Sequence, residues 1–444
     1  MLIKVLPFLL VLTLTSQSGS LSPEERAMLT FIDANNASAI ALLERSVNIN
    51  SGTQHFAGVR EVGALFRAEF DALGFQTTWV DGTPFKRAGH LVAEHSGSPQ
   101  GAGKPTILLI GHLDTVFEPD SPFQKYERVS DSAAKGPGIT DMKGGNVIIV
   151  QALKALQSAG LLKSMNIIVV MTGDEEAAGR PLTLSRDALV KAAKEADVAI
   201  GFEDGDGNPA TAVIARRGTT NWTLRVKGRP AHSSQIFNAE NGYGAAFEAA
   251  RILNGFREKL AGQRHLTFNP GVVLGGTTVH FDAAASRGSA FGKTNVIAEE
   301  MVVVGDLRAL TPQQFAEAKE TMAAIVAANL PQTSATIEFD DGYPPLAPTP
   351  GNERMLGLYN KASMDVGAGP VVAVDPDKAG AADVSFVSEY VPLILDGVGL
   401  MGGGGHTVHE TADMRTLPSQ TKRAAVLLAR LHRDIQVTHR EGVR

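Results

Sequence analysis

The chain contains no cysteine among its 444 residues. That excludes disulfides, a thiol nucleophile, thiolate metal sites and an N-terminal lipid anchor through sulfur. Any metal must be held by His, Asp and Glu. There is no block of basic residues that would track phosphates. The balance of 41 basic against 47 acidic residues, a net charge of −6, gives nucleic-acid binding no support. No apolar run is long enough to span a bilayer. The one candidate, residues 5–14 behind Lys4 and ahead of the polar stretch 15–20, has the pattern of a secretory signal instead. Residues 1–20 are therefore expected to be a leader, and the mature protein is expected to be secreted or periplasmic, free of the membrane after cleavage. Hydrophobic residues make up 43% and charged residues 20%, so a packed core is expected rather than disorder. The length calls for two or more domains.

Ser22-Pro23-Glu24-Glu25 reads as a helix start, with Ser as cap, Pro in the first turn and Glu residues suited to the dipole. Helical patterns follow to about residue 48 and over 59–73. Strand patterns over 77–80, 89–94, 106–110, 166–171 and 198–202 then alternate with helices over 145–157 and near 186–194. That alternation predicts an α/β fold, a mostly parallel sheet with helices on both faces. The rhythm changes near residue 216. A strand over 220–227, a helix over 242–260, strands over 272–274, 294–297 and 301–307, a helix over 312–328 and a strand over 335–339 are read as β-α-β-β-α-β with one strand pattern in excess. This is a ferredoxin-like unit inserted into the larger sheet. The expected division is a larger α/β unit over 21–215, an inserted unit over 216–343, and a return to the larger unit over 344–444. The free edge of the inserted sheet predicts a homodimer.

Chemistry gathers at strand ends. His112-Leu113-Asp114 ends one apolar run, Gly173-Asp174-Glu175-Glu176 ends another, and Glu203 follows a third. Asp141 precedes Lys143 and two glycines, and His406 follows the glycines of 402–405. In open α/β sheets, ligand sites form beyond the carboxyl ends of the strands. An acidic doublet alone reads as a solvated turn; three metal-type groups at three strand ends read as a metal site. His112 offers an imidazole whose tautomer Asp114 can fix. The Asp141 carboxylate can bridge two cations, and the glycines after it let backbone crowd a metal. One member of the Glu175-Glu176 doublet can bind metal while the other stays free as a base.

Taken together, His112-Leu113-Asp114, Gly138-Ile139-Thr140-Asp141-Met142-Lys143-Gly144, Gly173-Asp174-Glu175-Glu176, Phe202-Glu203 and Gly405-His406-Thr407 resemble the M20 metallopeptidases. The resemblance is nearest to their glutamate carboxypeptidase branch, with acetylornithine deacetylase and succinyl-diaminopimelate desuccinylase as relatives. It implies two zinc ions per subunit, with cobalt or manganese as substitutes. His112, Asp141 and Glu203 would hold one; Asp141, Glu176 and His406 would hold the other. It also implies a cis peptide at Asp141–Met142, Glu175 as general base, and Asp114 behind His112. His406, not His409, fits the offset from Glu410 in that pattern. In the inserted unit the resemblance implies that His232, in Gly228-Arg229-Pro230-Ala231-His232-Ser233, stabilises the oxyanion of the partner subunit's site. Asn295, Arg308 and Gly380 would contact substrate, Arg308 through its carboxylate. Where the glutamate-releasing branch carries a further Arg before the return, this chain has Asp340, Asp341 and Tyr343.

The expected activity is hydrolysis of the amide bond of a small peptide or N-acyl amino acid with a free C-terminal carboxylate. A deacylase of the acetylornithine or succinyl-diaminopimelate type is the alternative. A non-catalytic binding protein on the same fold would have lost a ligand or the base, and none is lost.

Overall fold

The computed structural model describes residues 21–98, 103–283 and 285–435. The expected leader lies outside the described residues. The capping box at Ser22 forms: its hydroxyl accepts from the Glu25 amide at 3.1 Å, and the Glu25 carboxylate accepts from the Ser22 amide at 2.9 Å. Pro23 opens the first helix, Pro23–Val47. Glu25 is also paired with Arg430 at 2.8 Å, which fastens the first helix to the last, Thr416–Asp434.

The main sheet runs Gln76–Asp81, Gly89–His95, Asn166–Thr172, Thr106–His112, Val198–Gly201, Leu393–Leu395. The last four are mutually parallel, whereas the first two pair antiparallel. The sheet is thus mixed, and parallel where the strands carry chemistry. The Thr106–His112 and Asn166–Thr172 strands are buried along six of their seven residues, because helices cover both faces. One face packs against Pro23–Val47, Gly144–Ser158 and Thr416–Asp434, the other against Asp187–Glu195 and Asp383–Val387. In register, His112 lies opposite Thr172, and Ile110 opposite Gly201. The three chemistry-bearing strands therefore end side by side. Among the described residues, no helix is long and apolar enough to cross a membrane.

A second sheet has the order Thr267–Gly276, Glu300–Ala309, Gly218–Gly228, Thr333–Phe339, all antiparallel. With the helices Gly244–Leu260 and Pro312–Ala327 on it, this is the ferredoxin-like arrangement. Its core centres on Trp222, fully buried edge-on to Phe256 and donating to the Asp306 carbonyl at 3.0 Å. Two expectations fail here. Residues 294–297 are not a strand; they form a turn in which Val296 bridges to His232. An extra hairpin, Thr278–Asp282 paired with Arg287–Phe291, escaped the sequence reading. The latter strand is exposed at every residue, so no apolar face imposes the alternation that marks a strand.

The chain crosses between the sheets twice, and the crossings pair. Arg216 and Leu346 exchange backbone bonds of 2.9 and 3.0 Å, and the Thr219 amide donates to the Tyr343 carbonyl at 3.0 Å. A Cβ at Gly342 would lie 1.9 Å from the Thr219 carbonyl oxygen, so only glycine fits this close approach.

Candidate metal centre

The strand ends bring His112, Glu176 and Glu203 to one edge of the sheet, and two loops complete the group. Thr411–Asp413 pairs with Ala133–Lys135, which carries the glycine-rich His406 loop up to the Asp141 loop. Glu410 locks the two together. Its buried carboxylate accepts from the amides of Thr140 at 2.8 Å, Gly138 at 3.0 Å and Asp141 at 3.2 Å. The His406 backbone is left-handed, at φ 61°. The Asp141–Met142 peptide is cis.

Two groups of three metal-type side chains result: His112, Asp141 and Glu203, and Asp141, Glu176 and His406. Asp141 belongs to both, and its two oxygens face opposite ways. Oδ1 lies 3.0 Å from Nε2 of His112, and Oδ2 lies 3.0 Å from Nε2 of His406. Glu203 approaches the first imidazole at 3.6 Å, and Glu176 the second at 3.1 Å. Neither group contains Glu175, His232 or His409.

The electrostatics follow from crowding carboxylates away from water. Burial pushes the Glu175 carboxyl well above its ordinary range, and Asp383, Glu176 and Asp141 add to this against the opposition of His112. Burial likewise raises Glu203, and with Asp141 nearby it raises Glu176 to about 7. Burial disfavours charge on His112, but Glu203, Asp114 and Asp141 outweigh it and hold the imidazole well above its usual range. Hydrogen bonds to Asp141 and Glu176 push His406 up to about 11. Burial would raise Asp141 too, yet the two imidazoles hold it far below the usual carboxylate range. The site demands positive charge. Nitrogen and oxygen donors without sulfur fit a divalent cation such as zinc, whose binding would compete with protons for the same groups.

Asp114 stands behind His112 and has further partners. The His112 Nδ1 lies 3.0 Å from the Asp114 carbonyl and 3.5 Å from the Asp114 carboxylate. The carboxylate also accepts from the amides of Glu175 at 3.0 Å and Glu176 at 3.1 Å, and from Thr53 at 2.6 Å. It fixes the doublet's backbone and so splits the two glutamates. The glycines after Asp141 differ from their expected use. A Cβ on Gly144 would lie 2.4 Å from Leu400, and one on Gly145 would lie 2.0 Å from the Phe202 carbonyl. They crowd the protein beside Glu203 rather than a metal.

The remaining candidates lie on the second sheet or near the crossing. His232 is exposed, its Nδ1 2.8 Å from the Ser234 hydroxyl, and its neighbour Ser233 donates to the Asn295 carbonyl at 2.9 Å. His232 and Asn295 thus share one segment. Arg308 is paired with Asp306 at 3.0 Å. The Gly380 carbonyl accepts from Arg216 at 2.7 Å, and a Cβ there would meet nothing within 4 Å, so nothing near it requires a glycine.

The roles of three buried groups escaped the sequence reading. Arg216 pairs with Asp396 at 2.7 Å, and Arg186 with Asp174 at 2.6 Å and Asp383 at 2.8 Å. A lone Arg in a sequence reads as surface, so neither carried a signal. The third, Glu410, was legible only as an offset from His406. A further group, His265, Asp375 and Asp377, also has metal-type spacing. There the Arg217 guanidinium already stands 3.5 Å from the Asp377 carboxylate and supplies the positive charge.

Comparison with known proteins agrees with this geometry. The pattern of Peptidase family M20/M25/M40 matches residues 108–433. Carboxypeptidase G2 of a Pseudomonas species is 26% identical over 395 residues, 88% of each chain. Acetylornithine deacetylase of Yersinia pseudotuberculosis is 24% identical over 304 residues, 67% of this chain and 74% of that one. Among solved structures, the aminopeptidase PepT of Bacillus cereus superimposes with a TM-score of 0.70 at 18% identity, covering 89% of this chain and 99% of that one. A Bacillus subtilis protein described as a dinuclear metal binding peptidase of the M20 family gives 0.62 at 15% identity, covering 91% and 99%. The match spans the strand carrying His112, the loops of Asp141 and His406 and both glutamate-bearing strand ends, and the chain belongs to Peptidase family M20/M25/M40.

Proposed function

We propose that this chain is an exported two-zinc exopeptidase that cleaves the amide bond of small peptides or N-acyl amino acids bearing a free C-terminal carboxylate. The observation that carries this reading is Asp141, with one carboxylate oxygen toward each histidine and Glu175 outside both ligand groups. Two zinc ions, when bound, acidify a water and polarise the scissile carbonyl. Cobalt or manganese would do the same in the same donor set. The Glu175 carboxylate takes the water's proton and delivers it to the leaving nitrogen. Asp114 holds the Glu175 and Glu176 amides, so that one glutamate faces metal and the other stays free. Arg308 releases Asp306 to grip the substrate carboxylate, and Asn295 and Gly380 line the same product side. His232, from a second copy of the chain, donates to the oxyanion.

The likeness to both a carboxypeptidase and an acetylornithine deacetylase leaves two acyl classes for one machinery. Purified protein with added zinc should be incubated with mixed dipeptides, folates and N-acyl amino acids, and the products read by mass spectrometry. Release of a free amino acid from at least one class is expected. No cleavage of any class by the zinc-loaded protein would end this reading.

His406→Ala should lower bound zinc and activity far more than His409→Ala, because His406 reaches Asp141 and Glu176 whereas His409 belongs to neither ligand group. Zinc content by elemental mass spectrometry decides it. A zinc-depleted His409→Ala protein would move the ligand three residues along the loop.

Dimerisation through the inserted sheet is part of the proposal, supported by the free edge of Thr267–Gly276 and by the exposed His232 segment. Mixing inactive His232→Ala with inactive Glu175→Gln under subunit exchange should restore activity, up to about half the wild-type value per heterodimer if sites act independently. In that heterodimer one site has both wild-type groups. No recovery despite demonstrated exchange would place His232 in its own subunit's site, or outside catalysis.

A further inference from the structure

We infer that Tyr343 is a positioning residue for Glu175, tying the proposed base to the crossing between the two sheets. The inference rests on the reading of Glu175 given above. Tyr343 lies on the return crossing, its carbonyl bonded to the Thr219 amide at 3.0 Å, beside Gly342. Its ring stands edge-on to Phe386 with centroids 4.8 Å apart. Its hydroxyl meets two groups: a terminal nitrogen of Arg186 at 2.7 Å and the backbone carbonyl of Glu175 at 2.9 Å.

The direction of these bonds is fixed by chemistry. A guanidinium only donates, and a carbonyl only accepts. The phenol oxygen must therefore accept from Arg186 and spend its single proton on Glu175. Arg186 cannot turn away. It is 1% exposed, bonded to Asp174 at 2.6 Å and Asp383 at 2.8 Å, and Asp383 is in turn held by Thr172 at 2.6 Å. A chain of hydrogen bonds thus runs from Thr172 at its strand end through Asp383, which accepts from both Thr172 and Arg186, and on through Arg186 and Tyr343 to the Glu175 carbonyl.

Glu175 is then pinned on both sides. Its amide donates to Asp114 at 3.0 Å, from the His112 strand end, and its carbonyl accepts from Tyr343, from the crossing. The carboxylate between these two anchors has its origin set by both. The inserted sheet, which carries Arg308, joins the main sheet through the crossing that holds Tyr343. This assigns work to Tyr343 at the crossing.

Tyr343→Phe in the full-length, zinc-loaded protein removes one hydroxyl and keeps the ring. On any substrate cleaved by the wild type, kcat should fall about tenfold, the scale of small misplacements of a reacting group, with KM within about twofold. Bound zinc should stay at the wild-type value, and Tm should fall by no more than a few degrees, the cost of leaving the Arg186 and Glu175 partners of one hydroxyl unpaired. Hydrogen–deuterium exchange should quicken in the peptide covering residues 173–179, a readout independent of any substrate. Phe386→Leu is the packing control: it keeps the hydroxyl and should lower Tm without the tenfold loss. A Tyr343→Phe protein with wild-type kcat and unchanged exchange overturns the inference. So does a kcat loss that tracks zinc, or an equal kcat loss in Phe386→Leu. If the wild type cleaves nothing, the proposed function falls, and exchange in residues 173–179 still decides whether Tyr343 holds Glu175.

Discussion

Glu175→Gln is expected to abolish nearly all turnover while leaving both metals bound. Glutamine matches glutamate in shape, so the Asp114 and Tyr343 anchors on the backbone at 3.0 and 2.9 Å persist. The side chain belongs to neither ligand group. What is lost is the proton acceptor. Burial raises the Glu175 carboxyl above its ordinary range, and a carboxylate that binds a proton more tightly is the stronger base. Loss of a general base costs roughly 10²–10⁴-fold in kcat. Kinetics paired with elemental analysis of the same preparation checks this. If zinc departs with activity, Glu175 is a ligand and the division of labour within the doublet is reversed.

Asp141→Asn should be as severe, by a different route. Aspartate presents one anionic oxygen to each histidine at 3.0 Å. Asparagine keeps one oxygen, offers an amide NH₂ in place of the other and removes the negative charge both groups share. Bound zinc should fall from about two to below one per subunit, and activity by roughly 10³-fold, in line with several kcal/mol of metal-borne charge stabilisation. The fold should survive, because Glu410 holds this loop through backbone amides and not through the Asp141 side chain. Full zinc occupancy in Asp141→Asn would show that the carboxylate does not bridge.

How much of this was legible in the sequence depends on whether burial leaves a pattern. The strand ends were legible because buried parallel strands are unbroken apolar runs, and His112, Glu175, Glu176 and Glu203 interrupt three of them. Asp141 and His406 stood out only beside their glycines and in the family pattern. The glycines after Asp141 serve packing against Leu400 and the Phe202 carbonyl, which no local sequence rule distinguishes from approach to a metal. The hairpin of Thr278–Asp282 and Arg287–Phe291 was missed because its second strand is exposed throughout and shows no alternation, which left the short alternating run of the first without a visible partner. Residues 294–297 looked like a strand by composition, yet their backbone bonds go to the His232 segment. Arg186, Arg216 and Tyr343 were illegible for another reason. Their partners lie 12 to 197 residues away, and a buried ion pair has no periodicity. The sequence could name the groups that do chemistry; the scaffold that aims them appeared only in three dimensions.

The claim on which all of this rests is that two metal ions flank Asp141. Anomalous diffraction from crystals of the zinc-loaded protein, recorded on both sides of the zinc absorption edge, tests it most directly. The account predicts two peaks per subunit, one enclosed by His112, Asp141 and Glu203, the other by Asp141, Glu176 and His406, with Glu175 bound to neither. A single peak, a peak coordinated by His409, or a peak on the Glu175 carboxylate would contradict it.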